Sequence, residues 1–123
     1  MSGVTGARHC AEIARQNDLF RKSLGTAPGI EGQIVKTASV HALGPAALLD
    51  ILQALVRFEA FEPENDPFGD HGFGAFDIEV AEECTRIFWK IDLYDLDYRW
   101  GSDAPQDPSR TRRVLTIMTG PDL

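Results

Sequence analysis

The sequence predicts an α+β domain in the order α-β-α-β-β-β, with a mostly antiparallel sheet of about four strands and two helices packed on one face. Three observations carry that prediction. "AALLDILQALVRF", behind Gly44 and Pro45, has the period of a half-buried helix. "FGAFDIEV" and "CTRIFWKIDLY" alternate as strands do, and "RRVLTIMTG" is a β-branched run near the end of the chain. A length of 123 residues is that of a single domain, 1–123, able to bury about two-thirds of its unfolded surface around one core.

Over residues 7–24, Cys10, Ile13, Ala14, Phe20 and Leu24 recur on one helical face, and Gly25 follows as a stop. Asn17 falls inside that apolar arc, the place of a hydrogen-bonded core residue. "GTAPGIEG" is a loop by its glycines and proline, and "QIVKTASV", 33–40, reads as a strand. Pro45 then suits the first position of a helix, where its missing N–H has no intrahelical acceptor to lose. Leu48, Ile51, Leu52 and Leu55 form the buried side of that helix, while Asp50, Gln53 and Arg57 line its wet side.

"EAFEPENDPFGDHG" breaks the pattern with two prolines and two glycines and belongs on the surface. In the strands that follow, Phe76, Ile78 and Val80 alternate with Ala75, Asp77 and Glu79, and Ile87, Trp89, Ile91 and Leu93 with Phe88, Lys90, Asp92 and Tyr94. A hairpin is the simplest connection, with a turn near Glu82 that lacks Asn-Gly chemistry and is of open type. On this register Trp89 joins the core of the Leu48 to Leu55 helix face, and Lys90 and Asp92 lie outside beside Phe88 and Tyr94. The acidic loop "DLDYRWGSDAPQDP" leads to Arg112–Thr119, a strand by its Val/Leu/Thr/Ile run. The rival reading is a helix capped by Asp107 with Pro108 at its first position.

The formal net charge is −7, and it is unevenly spread. Residues 59–107 hold fourteen acids against Arg86, Lys90 and Arg99, a net of −11, whereas the segments on either side are each +2. Such a block repels nucleic-acid and lipid phosphates and speeds encounter with a cationic surface, so no direct nucleic-acid binding and no membrane partner are expected. The most apolar stretch, 46–56, is broken by Asp50 and Gln53, and the start of the chain has no apolar signal region. A cytoplasmic protein without a membrane span is expected. Cys10 and Cys84 form neither a CxxC pair nor a disulfide framework and read as reduced thiols.

None of the phosphate-binding, dinucleotide-binding, nucleophile-elbow or zinc motifs is present, and no cofactor is expected. "EPENDPFGDHG" has the flavour of a calcium loop, but a count from Glu64 puts Phe68 at position five and Ala75 at position twelve, where ligands are required. No metal site is assigned. His71, with Asp70 beside it, facing Asp92 or Asp95 is the one catalytic candidate, a carboxylate-oriented imidazole; its bland counterpart is a histidine that ties down a loop. His9 and Cys10 are adjacent on a helix and do not face each other, so they make no dyad. For partner binding the candidates are the acids Glu64, Asp66, Asp70, Asp95, Asp97 and Asp103, with Tyr98 and Trp100 either interface anchors or residues packed in the core or loop. Ser102, Asp103 and Asp107 also suit turn and capping roles around Pro105 and Pro108.

"QNDLFR", "HALGP", "NDPFGDHGFGAF", "FWKIDLYD", "GSDAPQDP" and "TRRVLTIM", in this order, resemble a family of small bacterial proteins catalogued as domain of unknown function 3768. The resemblance runs from about Asn17 to Met118, and FWKID and VLTIM are its most specific blocks. It implies a distribution over alphaproteobacterial chromosomes, plasmids and phages. Members usually carry an aspartate where this chain has Gly72, and end in glutamate and tyrosine where it ends "GPDL".

The function expected is that of a small acidic, non-enzymatic binding protein whose acidic loops and outer strand face occupy a basic surface of a protein partner, a nucleic-acid-binding surface being one such case. The distribution implied by the resemblance points to an anti-defence role, such as inhibition of a CRISPR or restriction complex. A hydrolase or metal-dependent enzyme centred on His71 is the alternative from a different class, and a host regulatory or structural protein is the third.

Overall fold

The computed structural model of the protein describes residues 2–123, with side chains from residue 9 onward. Its elements are helix α1 (Ser2–Lys22), strand β1 (Gly32–Lys36), a short helix α2 (Ala38–His41), helix α3 (Pro45–Arg57), strands β2 (Phe73–Val80) and β3 (Glu83–Tyr94), and strand β4 (Arg112–Thr119). Single 3₁₀ turns at Pro108–Arg110 and Gly120–Asp122 flank β4. The fold is the α+β class expected. Four strands form one sheet in the order β1-β4-β3-β2, with β2/β3 and β3/β4 antiparallel and β1/β4 parallel.

Helix α1 begins ahead of the expected Ala7, and it ends two residues before the expected Leu24. Leu24, with φ 51°, takes the left-handed position after the helix, and its N–H donates to Arg21 O (3.1 Å) while that of Gly25 donates to Phe20 O (2.8 Å). These two bonds satisfy the last carbonyls of the helix in a Schellman arrangement. The strand expected over 33–40 is shorter than the pattern implied. It ends at Lys36, and Ala38–His41 winds into α2, which turns Val40 fully into the core.

Both readings of the last segment hold a part of the truth. Arg112–Thr119 is a strand, and immediately before it Asp107 caps a single 3₁₀ turn, accepting the Ser109 N–H (3.0 Å), with Pro108 at its first position. At the β2–β3 hairpin, Ala81 and Glu82 form the two-residue turn with φ 51° and 69°. That is the pairing a type I′ turn requires, here without the usual glycine.

One face of the sheet carries Ile34, Phe76, Ile87, Trp89, Ile91, Leu115 and Ile117, which join Phe20, Ile51, Leu55 and Phe58 in a single core. Trp89 is fully buried, with Phe58 and Phe61 packed edge-on at 5.5 and 6.1 Å between centroids. Opposite Trp89 in the register sits Gly74, where a Cβ would lie 2.5 Å from the indole nitrogen and 2.8 Å from the Phe58 ring. Only glycine lets the tryptophan lie flat there. The other face bears Phe73, Phe88, Lys90 and Asp92, the mixed aromatic and charged surface that the strand period implies. Among the described residues no helix is long and apolar enough to cross a membrane.

Candidate functional site

The acidic segment after β3 folds back on itself almost at once. Tyr94 bridges to Gly101, the Asp95 N–H donates to Trp100 O (2.8 Å), and the Ser102 N–H donates to Leu93 O (3.0 Å). Inside this loop the Asp95 carboxylate accepts the N–H groups of Asp97 (3.1 Å) and Arg99 (3.0 Å). Those donors, Arg99 first, hold its pKa below the ordinary value. Tyr98 is half-buried at φ 58°, and Trp100 beyond it is 73% exposed.

The second half of the segment is braced in the same way. Ser102 Oγ lies 2.8 Å from Thr111 Oγ1 and accepts the Ala104 N–H (3.1 Å), and Thr111 Oγ1 donates to Ala104 O (2.9 Å). Gln16 of α1 donates to Gln106 O (2.8 Å), tying the loop to the helix layer. Asp107 receives the Ser109 hydroxyl (2.7 Å) as well as its N–H, and its pKa is lowered chiefly by that hydroxyl. Between the two halves lies a hollow of about 240 Å³ lined by Asp95, Leu96, Asp97, Asp103, Ala104 and Arg110.

The four aspartates of this segment, and Asp92 near the end of β3, are therefore divided in their work. Asp95 and Asp107 hold backbone, Asp92 lies on the open sheet face 3.2 Å from Lys90 Nζ, and Asp97 and Asp103 are exposed. Among the described residues, no three His, Cys, Asp or Glu side chains are grouped so that they could hold a metal ion.

His71 lies elsewhere, and its carboxylate partners are not Asp92 or Asp95. Its Nδ1 is 3.0 Å from both oxygens of Asp18 on α1, and its Nε2 is 3.7 Å from Asp66 Oδ2. The ring stacks flat on Phe61, 3.9 Å between centroids. With both nitrogens facing carboxylates, His71 latches the 59–72 loop onto α1. Asp66 is turned inward, nearly buried, and accepts the His71 N–H (3.2 Å). Asp70 is half-buried, and burial is the main cause that raises its pKa; Glu64 alone of the three acids named in this loop is exposed. At Gly72 a Cβ would meet Asp70 Oδ1 at 3.3 Å.

Behind the latch runs a buried polar seam. Arg113, fully buried on β4, donates from Nε to Asn17 Oδ1 (2.8 Å) and from Nη2 to Gln16 Oε1 (2.9 Å). Asn17 in turn donates to Asp70 O (2.9 Å). Arg21, also fully buried, donates to Leu55 O (2.6 Å) and to Asp18 Oδ1 (3.1 Å), with its guanidinium 5.3 Å from the Trp89 ring. Desolvation lowers the pKa of Arg113 to about 10, which leaves it charged at neutral pH. Of this seam the sequence reading had singled out Asn17 alone. Arg113 was also legible, because it shares the buried register of Leu115 and Ile117.

The family model described as Protein of unknown function (DUF3768) matches residues 36–122. The chain belongs to that family. The match takes in β2, β3, β4, α2, α3, the His71 loop and the acidic segment, while β1 up to its last residue, Lys36, and the Gln16, Asn17, Asp18 and Arg21 side of the seam precede it. No curated protein and no solved structure matches the chain. Membership of the DUF3768 family thus identifies the fold's relatives and leaves the chemistry to the geometry.

Proposed function

We propose that the protein is a non-enzymatic binding protein whose working surface is the acidic loop end, with Trp100 as its anchor and Asp97 and Asp103 beside it. The observation that carries this reading is a tryptophan 73% exposed on a loop that the Asp95 carboxylate makes rigid. A large apolar ring held in water without collapsing onto the core is the composition of a binding hot spot, and preorganisation of its loop lowers the entropy cost of binding. The net −11 of residues 59–107 selects a partner with a basic surface. In its narrowest form that surface is one used for nucleic acid, as in a CRISPR or restriction complex that the protein would inhibit. The distribution implied by the family resemblance supports that form.

The test uses a photo-cross-linking residue at Asp97 to trap the partner in a native host lysate, followed by association rates measured against the purified partner. The Asp97→Asn/Asp103→Asn variant, with Asp95 left in place, is expected to associate more slowly, and the difference to vanish at high salt, where exposed charges are screened over less than about 8 Å. Trp100→Ala is expected chiefly to speed dissociation. A partner bound at one rate across all salt concentrations, and equally by all three proteins, would leave the acidic end a solubility feature. A DNA-handling complex as the trapped partner would support the narrow form.

A further inference from the structure

A second surface is built on α3, away from the acidic segment in sequence and independent of the reading above. Leu49 is 59% exposed, the most exposed leucine of this helix, and beside it a shallow groove of about 290 Å³ is lined by Leu24, Leu52, Gln53, Val56 and Arg57. Leu49, Leu52 and Val56 have the three-then-four spacing of a helix-pairing seam, whereas the core face of the same helix is carried by Ala47, Ile51 and Leu55. The helix therefore carries a second apolar stripe, along which Leu52 and Val56 are only partly covered within the chain and Leu49 stands open to solvent.

The charges flanking the outer stripe indicate what covers it. Asp50 and Arg57 are both exposed, and neither is in an ion pair among the described residues. They lie two turns apart on one side of the stripe, about 10 Å along the axis, too far to meet each other. In a second copy running antiparallel, about a two-fold axis near Leu52 and Gln53, each Asp50 approaches the partner's Arg57. The same operation sets each Leu49 into the opposing hollow of Leu24, Leu52 and Val56. A ridge, a hollow, an acid and a base on one face are self-complementary only in that arrangement.

We propose that α3 is the interface of a two-fold homodimer, closed by Leu49, Leu52 and Val56 and fixed in register by Asp50 and Arg57. Asp50 and Arg57 are the only charged residues of this helix, so its own charges balance. The stripe is short beside a standard interface of about 800 Å² per partner, so a dimer in reversible exchange with monomer is expected.

Sedimentation equilibrium of the full chain tests this. The apparent mass is expected to rise with concentration from 13.6 kDa toward twice that value. Leu49→Glu is expected to raise the dissociation constant about tenfold or more, equivalent to about 1.4 kcal/mol. Asp50→Arg should weaken the dimer, and Asp50→Arg/Arg57→Asp should restore it. Circular dichroism checks that the variants are folded; should Leu49→Glu unfold the chain, the exposed charge pair carries the test alone. A mass that stays at 13.6 kDa to millimolar concentration overturns the proposal and leaves the groove for a different protein. So does a dimer that ignores both Leu49→Glu and the charge exchange.

Discussion

The acidic loop end and the buried seam are both built from polar side chains, yet their partners lie at opposite distances along the chain. Asp95 and Asp107 bond to groups two to four residues away. Gln16 and Asn17 reach Arg113 across 97 and 96 residues, and His71 reaches Asp18 across 53. Local bonds of the first kind form in any chain with those turns and contribute little more than their own loop's order. Bonds of the second kind exist only when α1, the 59–72 loop and β4 are docked together, so they are coupled to the whole fold.

The largest expected effect that sharpens this contrast is at Arg113. Removing its guanidinium leaves Gln16 and Asn17 buried without their donor and opens a cavity, so Arg113→Ala is expected to cost about 3–5 kcal/mol in urea unfolding. Arg113→Met leaves the same Gln16 and Asn17 oxygens without their donor but fills most of the cavity, and is expected to cost less than Arg113→Ala. A single change as mild as a surface substitution would break the comparison.

At the loop end, Asp107→Ala is expected to cost about 1 kcal/mol, the value of a lost helix-type cap, and to leave the core untouched. Asp95→Ala should be of similar size but should act on function first, because it loosens the loop that holds Trp100. Amide exchange checks both: protection in β3 and β4 should persist, while that of Ser109 is lost in Asp107→Ala and that of Asp97 and Arg99 in Asp95→Ala.

The smallest effect is in acid. Glu12, at the exposed end of the seam, is held at about 2, against an ordinary 4.5, first by the Arg15 guanidinium and then by the Gln16 amide. Asp122 is likewise held at about 2, against 3.8, first by Ser39 and then by Thr37. Carboxyls with a lowered folded pKa stabilise the fold above their unfolded value, and that contribution is lost as pH falls through the folded one. The melting temperature should therefore decline between pH 4.5 and about pH 2. Asp70, raised mainly by burial, works in the opposite sense, since its protonation favours the folded state. Glu12→Gln should flatten the decline, and an unchanged profile would show that Glu12 is free of the seam in solution.

The sequence by itself determined whatever follows from short-range periodicity. The core face of α3 around Ile51 and Leu55, the inward Trp89 and outward Lys90 and Asp92 of β3, and the capping roles of Asp107 and Ser102 were all legible, because each depends on neighbours within one turn or one strand repeat. The fold class followed from the same patterns, and the family resemblance from ordered sequence blocks such as FWKID and VLTIM. Only the tertiary structure decided the parallel pairing of β1 with β4, the turn of 38–41 back into the core, and the assignment of Asp18 and Asp66 to His71. A carboxylate's spacing in sequence carries no record of which loop packs against it. Asp66 and Asp70 looked like members of a solvated acidic run until docking against α1 took one of them nearly out of water and half-buried the other. The burial of Arg113 and Arg21 is the same effect with the sign reversed: a charged side chain enters the core where another element brings hydrogen-bond partners to meet it, and that meeting is a property of the assembled fold.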